Sequence, residues 1–201
     1  FQPSGEHADE CAACPAGFVS NEGAVLCTEC APGKYRHLDN SSCVPCPAGE
    51  YTSVTNSSTC NKCPAGQISG ATEGAQFCMP CGPGKTNPLA GQLNCVECNK
   101  GRFMATTEAK VADCDPCLEG QYQNEKKQSN CKACPAGKWS DQKELQLEDD
   151  CNDCDVGRYS SAKGATGVDD CNKCAAGKKN ANVGSNSSAA CEDCPVNTKA
   201  A

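Results

Sequence analysis

Cysteine is the residue type that could do chemistry in this chain, and it occurs only in closely spaced pairs. All 22 cysteines of the 201-residue chain fall into eleven Cys-x-x-Cys pairs, which recur every 16 to 20 residues. Two thiols at this spacing can form a redox-active ring, bind zinc as thiolates or be joined to neighbouring pairs by disulfides. Because the pattern is a tandem repeat, its chemistry has to be interpreted for the whole array. The pairs begin at Cys11, Cys27, Cys43, Cys60, Cys78, Cys95, Cys114, Cys131, Cys151, Cys171 and Cys191.

Three arrangements of the sulfurs compete. A ring inside each pair would satisfy every cysteine, but such rings are typical of oxidoreductases and would add little stability. Zinc bound by four thiolates fits two pairs separated by 12 to 16 residues, although eleven pairs do not group into complete sites and the chain has only 2 histidines. We favour bridges from the second cysteine of one pair to the first of the next, since each closed loop of about 15 residues contributes about 3 kcal/mol. These bridges are Cys14–Cys27, Cys30–Cys43, Cys46–Cys60, Cys63–Cys78, Cys81–Cys95, Cys98–Cys114, Cys117–Cys131, Cys134–Cys151, Cys154–Cys171 and Cys174–Cys191.

This scheme leaves Cys11 and Cys194 without partners. The residues after Cys194 and before Cys11 number seventeen together, close to the 16 residues of the last loops. We therefore expect Cys194 of one unit to bridge to Cys11 of the next, or the chain to be one segment of a longer ladder. A head-to-tail contact that does not close produces a filament.

Each cysteine pair must be positioned by the short segment that follows it. The frame is Cys-x-x-Cys-x-x-Gly-x-aromatic, as in Cys131-Lys-Ala-Cys134-Pro-Ala-Gly137-Lys-Trp139. A glycine in this place predicts a positive φ or a close approach to a disulfide, and we expect the aromatic ring to cover the disulfide of its own repeat. The loops are rich in Asn, Ser, Thr, Gly and Asp, which is typical of turns, so each repeat is predicted to be a short two-stranded β piece with a polar tip. Only Asp141–Asp150 suggests a helical turn.

Composition agrees with a covalently stabilised fold. Leu, Ile, Val and Phe make up about 11% of the chain, too little for an ordinary core, whereas cysteine above about 8–10% indicates a disulfide scaffold. The predicted fold class is therefore small disulfide-rich repeats that form an elongated ladder of short β-hairpin and loop units without a large hydrophobic core. Residues 1–10 form a polar lead segment, 11–194 the tandem repeats, and 195–201 a tail or the start of a further repeat.

The charge and the cysteines also restrict the function. A net charge of −7 disfavours nucleic acid and anionic lipid as partners, and the sequence has no apolar stretch that predicts direct membrane insertion. Abundant disulfides indicate an oxidising compartment, so we expect an extracellular or cell-surface protein. Since the sequence has no signal peptide, we expect it to be a mature chain or a fragment.

Three N-glycosylation sequons precede cysteine pairs, at Asn40, Asn56 and Asn186. Their shared place in the repeat predicts N-linked glycans on exposed loops. His7 and His37 have no paired nucleophile and are interpreted as solvated, so we expect no catalytic site.

The acidic groups 148–150 and 169–170 lack the alternating oxygen ligands of a calcium loop. They too are interpreted as solvated. We expect no metal, no cofactor and no enzymatic activity.

The segments Cys46-Pro-Ala-Gly-Glu-Tyr51 and Cys134-Pro-Ala-Gly-Lys-Trp139 resemble ephrin-receptor-like cysteine-rich repeats. The resemblance covers residues 11–199. Ciliate surface immobilisation antigens, flagellar mastigoneme proteins and tumour-necrosis-factor-receptor-like ectodomains share this repeat. The resemblance implies a non-enzymatic extracellular rod and supports the bridges from second to first cysteine.

Together these observations favour an extracellular structural protein, a subunit of a cell-surface or flagellar filament or coat that associates head to tail. The alternative is a receptor or adhesin stalk that presents its loops to a protein partner. A multi-zinc protein with four cysteine ligands per metal ion is the third hypothesis, and metal analysis with thiol titration separates it from the other two.

Overall fold

A computed structural model describes residues 11–38, 41–105 and 113–196 of the chain. Within these ranges no helix is long and apolar enough to cross a membrane. Regular structure consists of two-residue strands and three single turns of 3₁₀ helix. The strands are β1 Phe18–Val19, β2 Thr28–Glu29, β3 Lys34–Tyr35, β4 Val44–Pro45, β5 Glu50–Tyr51, β6 Asn61–Lys62, β7 Gln67–Ile68, β8 Met79–Pro80, β9 Lys85–Thr86, β10 Val96–Glu97, β11 Arg102–Phe103, β12 Asp115–Pro116, β13 Gln121–Tyr122, β14 Lys132–Ala133, β15 Lys138–Trp139, β16 Asn152–Asp153, β17 Arg158–Tyr159, β18 Asn172–Lys173, β19 Lys178–Lys179 and β20 Glu192–Asp193.

The packing of the chain divides it into two compact units. Antiparallel hairpins β1–β2, β3–β4, β5–β6 and β7–β8 lie in the first unit, and β11–β12, β13–β14, β15–β16, β17–β18 and β19–β20 lie in the second. The first unit comprises Phe1–Gly82, Thr86–Val96 and Thr107–Asp113, and the second comprises Pro83–Lys85, Glu97–Thr106 and Cys114–Ala201.

The β13–β14 hairpin illustrates how the sequence produces each strand pair. Gly120 has a φ of 72°, and the Gln121 amide donates a hydrogen bond of 3.1 Å to the Leu118 carbonyl. A positive φ at the third residue of such a turn defines type II geometry, which glycine adopts without strain. The Cys134 amide then donates to the Gly120 carbonyl at 2.8 Å and closes the hairpin.

The prediction of a positive φ at the repeated glycine is confirmed throughout the described repeats. The values lie between 71° and 88°. Asn197, which occupies the corresponding place in the eleventh repeat, lies outside the described residues. The glycines are Gly17, Gly33, Gly49, Gly66, Gly84, Gly101, Gly120, Gly137, Gly157 and Gly177.

Burial is concentrated on sulfur, as the composition requires. The side chains of Cys30, Cys46 and Cys63 in the first unit are fully buried, and in the second unit a small cluster joins Tyr122 and Leu145 to Cys134 and Cys151. The disulfide in this cluster belongs to the repeat after that of Tyr122. The aromatic ring therefore connects two repeats, where the sequence suggested cover for its own repeat alone.

Three loops end in a turn of 3₁₀ helix immediately before a cysteine pair. The turn Glu148–Asp150 confirms a helical turn in the region where the sequence suggested one, whereas the turns Val168–Asp170 and Ser188–Ala190 were not predicted. An aspartate accounts for the first two, since Asp150 accepts a hydrogen bond from the Leu147 amide at 2.8 Å and Asp170 accepts one from the Thr166 amide at 2.8 Å. These turns lie in the loops closed by the most widely separated cysteines, 17 positions apart.

Candidate functional site

Each of the first ten repeats is closed by a disulfide from the second cysteine of its own pair to the first cysteine of the next. The ten bridges have Cα–Cα distances of 5.6 to 6.0 Å and are the pairs that the sequence analysis favoured. A sulfur in a disulfide has no thiolate to offer a metal, so this pairing argues against the zinc arrangement.

Two thiols remain in the described part of the chain, those of Cys11 and Cys194. Cys11 is exposed and Cys194 is partly exposed. Both are therefore accessible to a partner sulfur.

We number the repeats by their cysteine pairs, from the pair at Cys11 to the pair at Cys191, and give each loop the number of the glycine that precedes it. In the second unit, the loop of the ninth repeat, which carries Gly164, packs on the glycine of the seventh repeat, Gly120. The carbonyl of Gly164 lies so close to Gly120 that a Cβ atom at Gly120 would overlap it. The amide of Gly164 donates to the Cys134 carbonyl at 2.8 Å, and the amide of Ser140 donates to the Ala165 carbonyl at 3.0 Å.

The same contact recurs through both units, always between a loop and the glycine of the repeat two places before it. The loop residue has a left-handed φ of 53° to 77°, and its carbonyl lies over the glycine. We call this arrangement the loop–glycine contact. Its described examples are Asn56 on Gly17, Gly74 on Gly33, Gly91 on Gly49, Lys127 on Gly84, Glu144 on Gly101, Gly164 on Gly120 and Gly184 on Gly137.

Sequence reasoning did not find this contact. It attributed the glycine to positive φ or to pressure from a disulfide, whereas the close atoms belong to a backbone about forty residues further along. A partial signal exists, because loop residues such as Gly74, Gly91 and Gly164 are themselves glycines at similar places. Lys127 and Glu144 give no such signal, since these residue types rarely adopt a left-handed φ.

Three glycines of this pattern are open. A Cβ atom built at Gly157 or Gly177 would meet no atom within 4 Å, and the same is true of Gly23, the left-handed residue of the first loop. Gly177 and Gly23 are both exposed. Among the described residues, Gly157 and Gly177 therefore have no loop carbonyl packed on them, and the first loop is not packed on a glycine.

Charged side chains reinforce the loop–glycine contact in the second unit. Arg102, next to Gly101, binds Glu144 of the docked loop at 2.6 Å. Lys143 of the same loop lies 3.4 Å from Glu119. A hydrogen bond from its own backbone, and then Lys143, hold the pKa of Glu119 below its ordinary value. These pairs are exposed, so each contributes little to stability.

Tyr122 has a polar partner as well as an apolar one. Its hydroxyl donates a hydrogen bond of 2.8 Å to the Glu148 carboxylate. Burial raises the pKa of this phenol, and the adjacent carboxylate raises it further. Glu148 thus has a structural partner that sequence reasoning, which treated it as solvated, did not identify.

The described sequon asparagines lie on the surface. Asn56 and Asn186 are both exposed, and the backbone of Asn56 is held in a loop–glycine contact. Asn40 lies outside the described residues. Glycosylation of these three residues remains a prediction.

The other residues considered for chemistry are dispersed. His37 is exposed, and His7 lies outside the described residues. Asp150 and Asp170 each accept backbone hydrogen bonds at a 3₁₀ turn. In the ranges that the structure covers, no group of three histidine, cysteine or acidic residues could hold a metal ion.

Comparison with known proteins agrees with this architecture. A family model described as tyrosine-protein kinase ephrin type A/B receptor-like matches residues 33–76 and 109–151. No curated protein matches the chain. The family match and the ten disulfides indicate an extracellular protein and point to a non-catalytic structural or binding domain. The chain is a cysteine-rich repeat protein, similar in those two segments to the ephrin-receptor-like repeat.

Proposed function

We propose that this protein is a structural subunit of a cell-surface or flagellar filament or coat, in which the repeats act as a cross-linked spacer. The observation that carries the proposal is the repeated combination of one local disulfide with one loop–glycine contact per repeat. The disulfide thereby closes each repeat, and the loop–glycine contact holds it to the repeat two places away. A chain built in this way needs no large core, and its stability is distributed along its length.

The disulfides also determine how such a subunit would carry load. Because the second cysteine of each pair is bonded to the first of the next, a stretched chain transmits force through the bridge and the next pair, and not through the loop. One repeat then spans a bridge of 5.6 to 6.0 Å between Cα atoms and three backbone steps of about 3.3 Å each. The loops stay off the load path and remain docked.

Pulling on single molecules tests this mechanical role. The oxidised chain should resist extension beyond the length set by its bridges, and reduction should release loops of 13 to 17 residue steps. At about 3.6 Å per extended residue, and after subtraction of the bridge that each loop replaces, each released loop adds about 40–55 Å of contour. Large extensions before reduction would contradict the load path.

Head-to-tail linkage would use the two remaining thiols, Cys194 of one copy and Cys11 of the next. A small disulfide such as oxidised glutathione supplies the oxidant. One thiolate attacks it to form a mixed disulfide and releases one glutathione thiol. The second thiolate then attacks the protein sulfur, forms the Cys194–Cys11 bond and releases the second glutathione thiol.

Mixing two single variants tests the direction of linkage. A Cys11→Ser chain offers only Cys194, and a Cys194→Ser chain offers only Cys11, so the mixture should give one covalent heterodimer on a non-reducing gel. The unmodified chain should give a ladder in steps of 20.8 kDa. Monomers whose two thiols stay free, or are bonded to each other within one chain, would overturn the filament proposal.

N-linked glycans on the exposed loops are part of the same proposal. Asn56 and Asn186 are exposed, and sugar there would shield a backbone that has little apolar cover. Native protein treated with an N-glycosidase should lose mass, and an Asn56→Gln or Asn186→Gln variant should lose one glycan. An unchanged mass would remove glycosylation from the proposal without affecting the cross-linked spacer.

The receptor or adhesin stalk remains the second candidate because of one surface in the first unit. An open cavity of about 370 Å³ is lined by Ile68, Ala71 and Leu93 among others, and Leu93 is exposed. Exposed apolar surface of this kind is where a protein partner would bind. A stalk of this type would stay monomeric in the mixing experiment and would retain a partner through this surface.

A further inference from the structure

The disulfides of the two units differ in how well their cysteines are covered. In the third and fourth repeats one cysteine of each bridge, Cys60 or Cys78, is partly exposed, although its partner is fully buried. In the eighth and ninth repeats both cysteines of each bridge are buried, and none is more than 2% exposed. The bridges compared are Cys46–Cys60, Cys63–Cys78, Cys134–Cys151 and Cys154–Cys171.

A basic side chain reaches across each covered bridge. Arg158 donates a hydrogen bond of 2.9 Å from Nη1 to the Cys171 carbonyl, and Lys138 donates one of 3.4 Å from Nζ to the Cys151 carbonyl. Each of these basic residues is the fourth after the second cysteine of its own pair. The methylene groups of a long basic side chain cover apolar surface while its charged end binds elsewhere, so this side chain shields the bridge.

The cover follows the basic residue from repeat to repeat. In the sixth repeat Arg102 donates to the Cys114 carbonyl at 3.0 Å, and Cys114 is only 5% exposed. In the third and fourth repeats the same place holds Glu50 and Gln67. A carboxylate has no hydrogen to donate, and in the part of the chain that the structure describes Gln67 makes no side-chain bond to a cysteine carbonyl. The cysteines of these two repeats are the partly exposed ones.

The turns of 3₁₀ helix add to the cover in the eighth and ninth repeats. The turn Glu148–Asp150 ends at Cys151, whose amide donates to the Glu148 carbonyl at 3.1 Å. The turn Val168–Asp170 holds the amide of Cys171 in the same way. Both buried cysteines are therefore held by backbone bonds as well as by a basic side chain.

Thiol–disulfide exchange requires that an attacking thiolate reach one of the two sulfurs. A buried bridge reacts only when the structure around it opens. We propose that an external thiol such as glutathione opens the bridges of the third and fourth repeats, whereas the bridges of the eighth and ninth repeats are shielded from it. The chain then has a part whose loops a reductant releases and a part whose loops stay closed. This inference goes beyond the proposed function, because it concerns bridges within one chain.

The exposure also determines which sulfur is attacked. A glutathione thiolate attacks Cys60 and forms a mixed disulfide, and Cys46 leaves as a thiolate that takes up a proton. A second glutathione thiolate attacks the glutathione sulfur of the mixed disulfide, forms oxidised glutathione and releases Cys60, which also takes up a proton. Two glutathione thiols are thereby oxidised and one protein bridge is reduced. The same steps at Cys78 release Cys63.

Timed reduction of a chain that carries Cys11→Ser and Cys194→Ser tests the proposal. Its cysteines all belong to bridges, because the two substituted residues are the free ones. Samples in reduced glutathione are quenched with iodoacetamide, and mass spectrometry identifies the alkylated and the glutathione-bound cysteines. The bridges of the third and fourth repeats should open at least about tenfold faster than those of the eighth and ninth. Trapped glutathione should be found on Cys60 and Cys78.

Substitutions at Arg158 test the shield itself. Arg158→Ala should speed the reduction of Cys154–Cys171 by about threefold or more and leave Cys134–Cys151 unchanged. Lys163→Ala is the matched control, because Lys163 is an exposed residue of the same loop and carries the same charge. If the charge and not the cover controlled the attack, Arg158→Ala would slow the reduction, since a guanidinium attracts an anionic thiolate. Circular dichroism and the absence of free thiols verify that each variant folds.

Each outcome supports or overturns the shielding. Equal rates at the four bridges of the folded chain, or faster reduction in the eighth and ninth repeats, would overturn it. An Arg158→Ala chain that reacts no faster than Lys163→Ala would overturn it too. In urea the rates should converge, and a difference that persists there would assign the effect to the local sequence. Because both free thiols are replaced in every chain, the result does not depend on head-to-tail linkage, and either proposal can fail alone.

Discussion

The hairpins of the seventh and tenth repeats have the same backbone but different surroundings. Gly120 and Gly177 are each the third residue of the same type of turn, with positive φ values of 72° and 83°. Tyr122 of the seventh repeat is only 7% exposed, whereas its counterpart Lys179 is exposed. The turn and the disulfide are therefore sufficient to form a hairpin, while the burial of Tyr122 comes from the disulfide and the loop of the next repeat.

Removing a disulfide from each region should have the largest effect and should separate these two contributions. Both Cys134–Cys151 and Cys174–Cys191 close loops with a cysteine separation of 17, so each double alanine variant should lose about 3 kcal/mol of local stability through the unfolded state. The first should lose about 1–2 kcal/mol more, because its sulfurs pack against Tyr122. Native-state hydrogen exchange of the hairpin amides measures both losses.

Equal losses of stability in the two variants would contradict this expectation. They would mean that the cluster around Tyr122 adds nothing beyond the closed loop. Replacing both cysteines of a bridge keeps new free thiols out of the measurement.

Exchanging the aromatic residue tests the packing directly. Tyr122→Ala should cost about 2–3 kcal/mol, less than a similar change in a large core, because the cluster is small. The converse change Lys179→Tyr should alter stability by no more than about 0.5 kcal/mol, since no described loop covers that strand. Urea unfolding followed by tyrosine fluorescence compares the two. A clear gain from Lys179→Tyr would mean that an aromatic residue finds cover in its own repeat.

A Cβ atom at the glycine should give a smaller and more local effect. Gly120→Asn should displace the ninth loop, with a cost of about 1–3 kcal/mol for overpacking, and should speed hydrogen exchange at the Gly164 amide, which donates to Cys134. Gly177→Asn should leave the exchange of the monomer unchanged, because nothing lies within 4 Å of the added atom. Protection of Gly164 that survives Gly120→Asn would show that the loop is not held by this contact.

The difference between these regions also explains how far the sequence could predict the structure. The turn at Gly120 and the bridge Cys134–Cys151 depend on residues within one repeat, and a recurring motif makes such local features visible. Sequence reasoning therefore predicted the hairpins, the positive φ and the absence of a large core.

The loop–glycine contact was missed for a physical reason. Its partners are backbone atoms about forty residues apart, and the loop position accepts residues as different as Asn56, Lys127 and Glu144. A backbone contact imposes a conformation on the loop and demands little of its side chain. The hydrogen bond from Tyr122 to Glu148 was missed similarly, because it joins different loops.

The smallest expected effect is on the titration of Tyr122, the residue that distinguishes the seventh repeat from the tenth. Its pKa lies above the ordinary value of 10.0, mainly because of burial and then because of Glu148. The folded chain therefore holds this proton more tightly than the unfolded chain. The resulting stabilisation is complete below about pH 10 and is lost as the pH rises through the raised pKa.

Glu148→Gln separates the two causes of the raised Tyr122 pKa, because it removes the carboxylate, which is the smaller cause, and keeps the burial of the ring, which is the larger. The pKa of Tyr122, followed by NMR of labelled tyrosine rings, should fall but stay above its ordinary value, since the ring remains buried. Asp149→Asn is the control, because the phenol hydroxyl binds Glu148; the pKa should not change. A return to the ordinary value in Glu148→Gln would mean that the carboxylate, and not the loop that covers the ring, makes the seventh repeat different.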